Sequence, residues 1–171
     1  MRVVIVGAGA MGCLFGFLLR KAGKEVWLLE KHSALVNHIK NYGIQVEGIS
    51  GEHRFFPLIT SEAEEIKEAE LILIFVKAFD TFQAILKAKP LVGPDSIVLT
   101  LQNGIGNVEE IVRVVGYKQT MAGTTAQGAT VLGLGYIRHA GTGETVIGEL
   151  DGNKTSRLEK VKAFFESVGI N

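Results

Sequence analysis

Val3-Val4-Ile5-Val6-Gly7-Ala8-Gly9-Ala10-Met11-Gly12 is a β-branched run that feeds straight into G-x-G-x-x-G. The pattern reads as a buried strand, a tight turn and the first turn of a helix. Each glycine then has its own job. Gly7 makes the turn, Gly9 lets a pyrophosphate approach the backbone, and Gly12 lets helix and strand pack closely. The helix that follows aims its positive end at the phosphate charge.

The same stretch invites a rival reading. From Val3 to Leu19 every residue is apolar or glycine, as in a signal peptide or short membrane anchor. Repeated glycines, β-branched residues at the start and an unbroken series of βα units downstream argue against export. The apolar residues past the glycines, Met11, Leu14, Phe15, Leu18 and Ala22, are expected on one helical face.

The bulk numbers suit one soluble domain over residues 1–171: 47% hydrophobic and 21% charged residues. Glycine is abundant, 21 of 171, so many tight turns or close backbone approaches are needed. The formal net charge of zero, with no Lys/Arg cluster, gives no nucleic-acid or anionic-membrane surface. Cys13 is the single cysteine, which excludes an intrachain disulfide and a cysteine-based zinc site. It reads as a packing residue, and a cytoplasmic location is expected.

Strand and helix signals alternate along the chain. Strands are predicted at Arg2–Gly7, Glu25–Glu30, Gly43–Glu47, Arg54–Leu58, Leu71–Val76 and Ser96–Leu101. Helices are predicted at Ala10–Ala22, His32–Asn41 and Thr81–Lys89, with another marked by Val108, Ile111, Val112 and Val115. Ser61–Ala69 reads as a helical turn. After Gly123, Thr130–Gly133 and Tyr136–His139 flank a glycine turn, and Glu144–Ile147 follows, as in an antiparallel appendage. Leu158, Val161, Phe164, Phe165 and Val168 mark a last helix, where one phenylalanine is expected to face away from the sheet. The fold class is α/β: a Rossmann-type, doubly wound, mostly parallel sheet with an antiparallel β appendage.

In such sheets ligands sit at the carboxyl ends of the strands. Glu30 closes the second strand, where a carboxylate accepts hydrogen bonds from ribose hydroxyls and favours NAD. Lys31, with Lys21 nearby in sequence, offers positive charge for a 2′-phosphate instead, so these residues alone leave the choice open. Lys77 follows the buried strand Leu71–Val76, and Gln102-Asn103-Gly104 follows the next one. Two polar strand ends facing one crevice can orient a cofactor and a substrate. Thr124, Thr125, Gln127, Gly128 and Ala129 are candidates for the crevice wall. His139 reads as a structural histidine, and His32, His38 and His53 lack metal-ligand spacing, so no metal site is expected.

The residues Gly7–Gly12, Val76-Lys77-Ala78, Leu101-Gln102-Asn103-Gly104-Ile105-Gly106, Gly123-Thr124-Thr125, Arg138-His139-Ala140-Gly141 and Ile147-Gly148-Glu149 together resemble the N-terminal domain of the ketopantoate reductase (2-dehydropantoate 2-reductase) family. The resemblance implies reduction of 2-dehydropantoate to (R)-pantoate with NADPH, in pantothenate and coenzyme A synthesis. It implies that Gly7, Ala8, Gly9, Ala10, Met11, Gly12, Lys77, Asn103 and Ala129 contact cofactor, with Asn103 also near the 2-keto acid. The position of the family's phosphate-binding arginine is held by Lys31. Lysine keeps the charge but loses the planar fork, which leaves NADH use open.

The family's proton-donating lysine and its partner glutamate belong to a C-terminal helical domain, expected beyond Asn171. No catalytic residue is therefore expected here: the chain should bind dinucleotide yet turn over substrate poorly. Self-association stays open, because a missing partner domain bares apolar surface. Two other readings remain, a reductase of another 2-keto or 3-hydroxy acid and a non-catalytic dinucleotide-sensing module.

Overall fold

The computed structural model describes residues 1–171. Val3–Val6 (β1) is followed by Ala10–Lys21 (α1), Val26–Leu29 (β2) and Ser33–Tyr42 (α2). Next come Ile44–Gly48 (β3), His53–Phe55 (β4), Leu58–Thr60 (β5) and Ala69–Ile74 (β6). Thr81–Ala88 (α3), Val92–Thr100 (β7), Asn107–Val115 (α4) and Thr120–Thr125 (β8) complete the central units. Gly128–Gly133 (β9), Tyr136–Gly141 (β10), Thr145–Glu149 (β11) and Ser156–Ser167 (α5) close the chain.

The larger sheet has seven strands in the order β11-β8-β7-β6-β1-β2-β5. All its pairings are parallel except β8 with β11. The chain thus winds outward from β1 in both directions, and the point of reversal lies between β1 and β6. Period-two alternation splits the apolar residues between two cores. Val3, Ile5, Leu71, Leu73 and Leu99 join α1 and α5 on one face. Val4, Val6, Ile72, Ile74 and Val98 join α3 and α4 on the other. Leu71–Ile74 are fully buried, which is why that run reads as continuously apolar rather than alternating.

The appendage is a separate four-stranded sheet, β4-β3-β10-β9. The hairpin β9–β10 is antiparallel as expected, but β10 lies parallel to β3. The strand expected at Arg54–Leu58 is two strands: β4 pairs in the small sheet and β5 in the large one. Phe56-Pro57 makes the crossing, where proline has no N–H to give a ladder.

Helix α1 lies between the two sheets, so its apolar residues are not confined to one face. Leu14, Phe15 and Leu19 are fully buried, and Phe17 packs against the rings of His53 and Phe55 from the small sheet, at 5.0 and 5.9 Å. A helix covered on both sides is apolar all round. That accounts for the signal-like run from Met11 to Leu19. No helix is long and apolar enough to cross a membrane.

Helix α5 is capped by Thr155, whose hydroxyl accepts from Leu158 N at 3.2 Å. Its Arg157 holds the end of β11 through Nε to Glu149 Oε1 at 2.7 Å, and this guanidinium keeps the Glu149 carboxyl below the usual range. Phe165 is buried against Phe15, and Phe164 also packs on the same core, although one of the two was expected to face away.

Candidate functional site

A cleft of about 870 Å³ opens at the carboxyl ends of β1, β2 and β6, beside the point where the sheet reverses direction. Gly7, Ala8 and Gly9 form one wall, Lys31, His32 and Leu35 another, and Lys77, Phe79, Asp80 and Gln83 a third.

The three motif glycines are distinguished by what surrounds them. Gly7 has φ +100°, and a Cβ there would meet Val76 Cγ1 at 2.9 Å. At Gly12 a Cβ would sit 1.9 Å from the Gly7 carbonyl oxygen, so α1 presses onto the turn. Gly9 differs from both. Its backbone is extended (φ −74°, ψ −169°), a conformation open to any residue, and a Cβ would meet nothing within 4 Å. Neither backbone strain nor packing within the chain requires glycine at position 9.

The backbone N–H groups of Gly9, Ala10, Met11 and Gly12 donate to no other backbone or side-chain group. These are the free donors that begin every helix, here behind an exposed Gly9 and with no acidic residue in the first helical turn. The turn itself is braced from below. Ala8 N donates to Glu30 Oε2 at 2.8 Å, and His32 N donates to Glu30 Oε1 at 2.9 Å. Glu30, read from sequence as a ribose acceptor, is buried and ties the glycine turn to the start of α2. The Cys13 thiol donates to the Ala8 carbonyl at 3.2 Å.

Burial, reinforced by the Glu30 charge, pushes the Cys13 thiol up to about 12. The thiolate is the reactive form, so Cys13 is expected to stay unmodified by a thiol-directed disulfide reagent at pH 8. Addition of denaturant should release one reactive thiol per chain. Rapid labelling of the native protein would contradict this packing role.

Lys31 Nζ reaches across the cleft mouth to Asp80 Oδ1 at 2.6 Å. Lys77 is exposed and makes no ion pair, and its ammonium lies 5.9 Å from the Phe79 ring centroid. Asn103 is exposed on the loop after β7, and its backbone carbonyl accepts from Asn107 Nδ2 at 3.1 Å. That loop is fixed from beneath by a buried polar chain. Thr81 Oγ1 donates to Asn107 Oδ1 at 2.9 Å, and Gln102 Nε2 donates to Val76 O at 2.6 Å and Thr81 Oγ1 at 3.0 Å. The ends of β6 and β7 are therefore locked to each other.

Among the residues singled out from sequence, the cleft gathers Gly7, Ala8, Gly9, Lys31 and Lys77 in its walls. Ala10, Met11 and Gly12 follow directly in α1, and Asn103 stands on the neighbouring loop. Ala129 lies on β9 in the small sheet, half-buried against the larger core. Thr125 bonds Thr145 at 2.9 Å and Gln127 bonds the Gly143 carbonyl at 3.1 Å, both outside the cleft. His139 is buried between Ser50 Oγ at 2.6 Å and Gln127 Oε1 at 3.2 Å, and burial lowers its affinity for a proton. Phe79, Asp80 and Gln83 also line the cleft, and no motif in the sequence marks them. Asp80 immediately precedes a helix, where sequence suggests no more than a cap.

The strand order, the switch-point cleft and the glycine turn define a Rossmann-type α/β fold. The model of the ketopantoate reductase PanE/ApbA family matches residues 3–152, and the chain belongs to that family. It is 34% identical to the 2-dehydropantoate 2-reductase of Halobacterium salinarum, over 99% of this chain and 56% of the relative. With the Pyrococcus abyssi 2-dehydropantoate 2-reductase the identity is 36%, over 99% of this chain and 55% of the relative. The chain thus spans about half the length of these relatives. The crystal structure of the Geobacter metallireducens 2-dehydropantoate 2-reductase superposes with TM-score 0.88 at 31% identity, covering 99% of this chain and 56% of that one. A D-mandelate dehydrogenase in complex with NADH and anilino(oxo)acetate superposes with TM-score 0.93 at 30% identity, covering 100% of this chain and 55% of that one.

Proposed function

We propose that residues 1–171 are the cofactor-binding part of a 2-dehydropantoate 2-reductase, with NADPH as cofactor and a small 2-keto acid as substrate. The observation that carries this reading is Gly9: a glycine with no internal reason, ringed by free N–H donors at the head of a cleft. A pyrophosphate fits that cradle, because four backbone N–H groups there are free and the helix end favours negative charge.

Gly9, Ala10, Met11 and Gly12 bind the pyrophosphate through their N–H groups, with Gly7 and Ala8 shaping the turn. Lys31 meets the 2′-phosphate, while Lys77 and Asn103 orient the nicotinamide ribose and the keto acid, and Ala129 completes the cofactor contacts. Bound NADPH supplies the hydride that reduces the 2-keto carbon. The new alkoxide needs a positioned proton donor, and no residue of this chain takes that part. In a protein of the relatives' length the remaining half supplies it.

Calorimetric titration of the chain with NADPH and NADH tests the reading. Saturable binding of both, tighter for NADPH, is the expected result, and no binding of either would overturn it. The likeness to a D-mandelate dehydrogenase solved with NADH favours a second reading, a related reductase of another 2-keto acid. Tighter binding of NADH would move weight to it.

A further inference from the structure

We infer that Asp80 is a cofactor-specificity residue that competes with the 2′-phosphate for Lys31; the inference rests on the dinucleotide reading of the cleft. The carboxylate is held where it can do little else. Asp80 N donates to the Lys77 carbonyl at 2.8 Å, fixing the backbone in a tight turn. Asp80 is the N-cap position of α3, yet its side chain makes no capping bond. Its one polar side-chain contact is Lys31 Nζ at 2.6 Å, which bridges two loops that are 49 residues apart in sequence.

Lys31 lies two residues beyond β2, at the strand end where the adenosine ribose lies in doubly wound folds. Glu30 beside it is committed to the N–H groups of Ala8 and His32, so Asp80 is the carboxylate that holds the Lys31 ammonium. A 2′-phosphate carries close to two negative charges and needs that same ammonium. Binding NADPH therefore breaks the Lys31–Asp80 ion pair. A 2′-hydroxyl leaves it intact. Asp80 handicaps NADPH and spares NADH, which narrows the preference that Lys31 alone would give.

The test is calorimetric titration of the 171-residue chain with NADPH and NADH in wild type, Asp80→Asn, Asp80→Ser, Lys31→Met and the Lys31→Met/Asp80→Asn double variant. The ratio of NADPH to NADH affinity should rise about fivefold in both Asp80 variants, the scale of a partly exposed ion pair. With Lys31→Met in the background, Asp80→Asn should move the ratio by less than about twofold. An unchanged ratio in both Asp80 variants would overturn the inference. An equal rise with and without Lys31 would also overturn it, because direct repulsion would then replace competition. Wild type that binds neither dinucleotide would overturn the site reading, and this inference with it.

Discussion

Gly9→Val is expected to fold with nearly wild-type stability and to bind dinucleotide at least about 100-fold more weakly, whereas Gly12→Ala loses stability as well. The difference follows from what each missing Cβ would meet. At position 9 the backbone is already extended and open space surrounds the Cα. A valine costs the folded chain only the weaker N-cap, about 1 kcal/mol or less. Its methyl groups would stand among the free N–H groups of Gly9–Gly12, where a pyrophosphate must come within hydrogen-bond distance. Loss of two charge-assisted hydrogen bonds, at about 1.5–3 kcal/mol each, gives at least the stated factor.

At position 12 a Cβ would lie 1.9 Å from the Gly7 carbonyl oxygen and 3.3 Å from Ile5 Cγ2. The obstacle is backbone of a turn already fixed by Glu30, so α1 must lift from β1. Such overpacking costs about 3 kcal/mol, or about 10 °C in melting temperature for a chain of this size. Thermal melts and titrations of the two variants separate the cases. A large loss of stability in Gly9→Val would mean the glycine serves the fold, and the cradle would lose its meaning as a site.

The outline of this fold was legible because its signals are local. The β-branched run with its glycine turn, the apolar block Leu71–Val76 and the glycine turn between Thr130 and His139 each carry their meaning within a few residues. What could not be read depends on contacts between distant segments. α1 looked one-sided because sequence gives no sign that β3, β9 and β10 return to cover its outer face. The parallel pairing of β3 with β10 joins Gln45 to Tyr136, and no local pattern announces it. Pro57 lies inside the stretch Arg54–Leu58 that reads as one strand, and its consequence, a strand split between two sheets, depends on where the second sheet lies. In the site, Lys31 and Lys77 were found as strand-end cations. Asp80 gives no local signal, because its partner Lys31 lies 49 positions away.

Glu30→Ala is expected to cost about 2–4 kcal/mol of stability, Glu30→Gln about 1–2, and each to weaken NADPH and NADH together. The carboxylate is buried at 7% exposure and gives one oxygen to each of two backbone donors, Ala8 N and His32 N. Alanine leaves both donors without their charged acceptor, while glutamine keeps one carbonyl oxygen and so one of the two bonds. The glycine turn loses its tie to the start of α2, and both dinucleotides use that turn in the same way through the pyrophosphate. A common weakening is therefore the mark of a brace. Urea unfolding of the two variants, with NADPH and NADH titrations alongside, measures both parts. Unchanged unfolding with a selective loss of NADH would instead assign the carboxylate to the ribose hydroxyls. Cofactor choice would then lie with Glu30 at the end of β2, rather than with the Lys31–Asp80 pair across the mouth of the cleft.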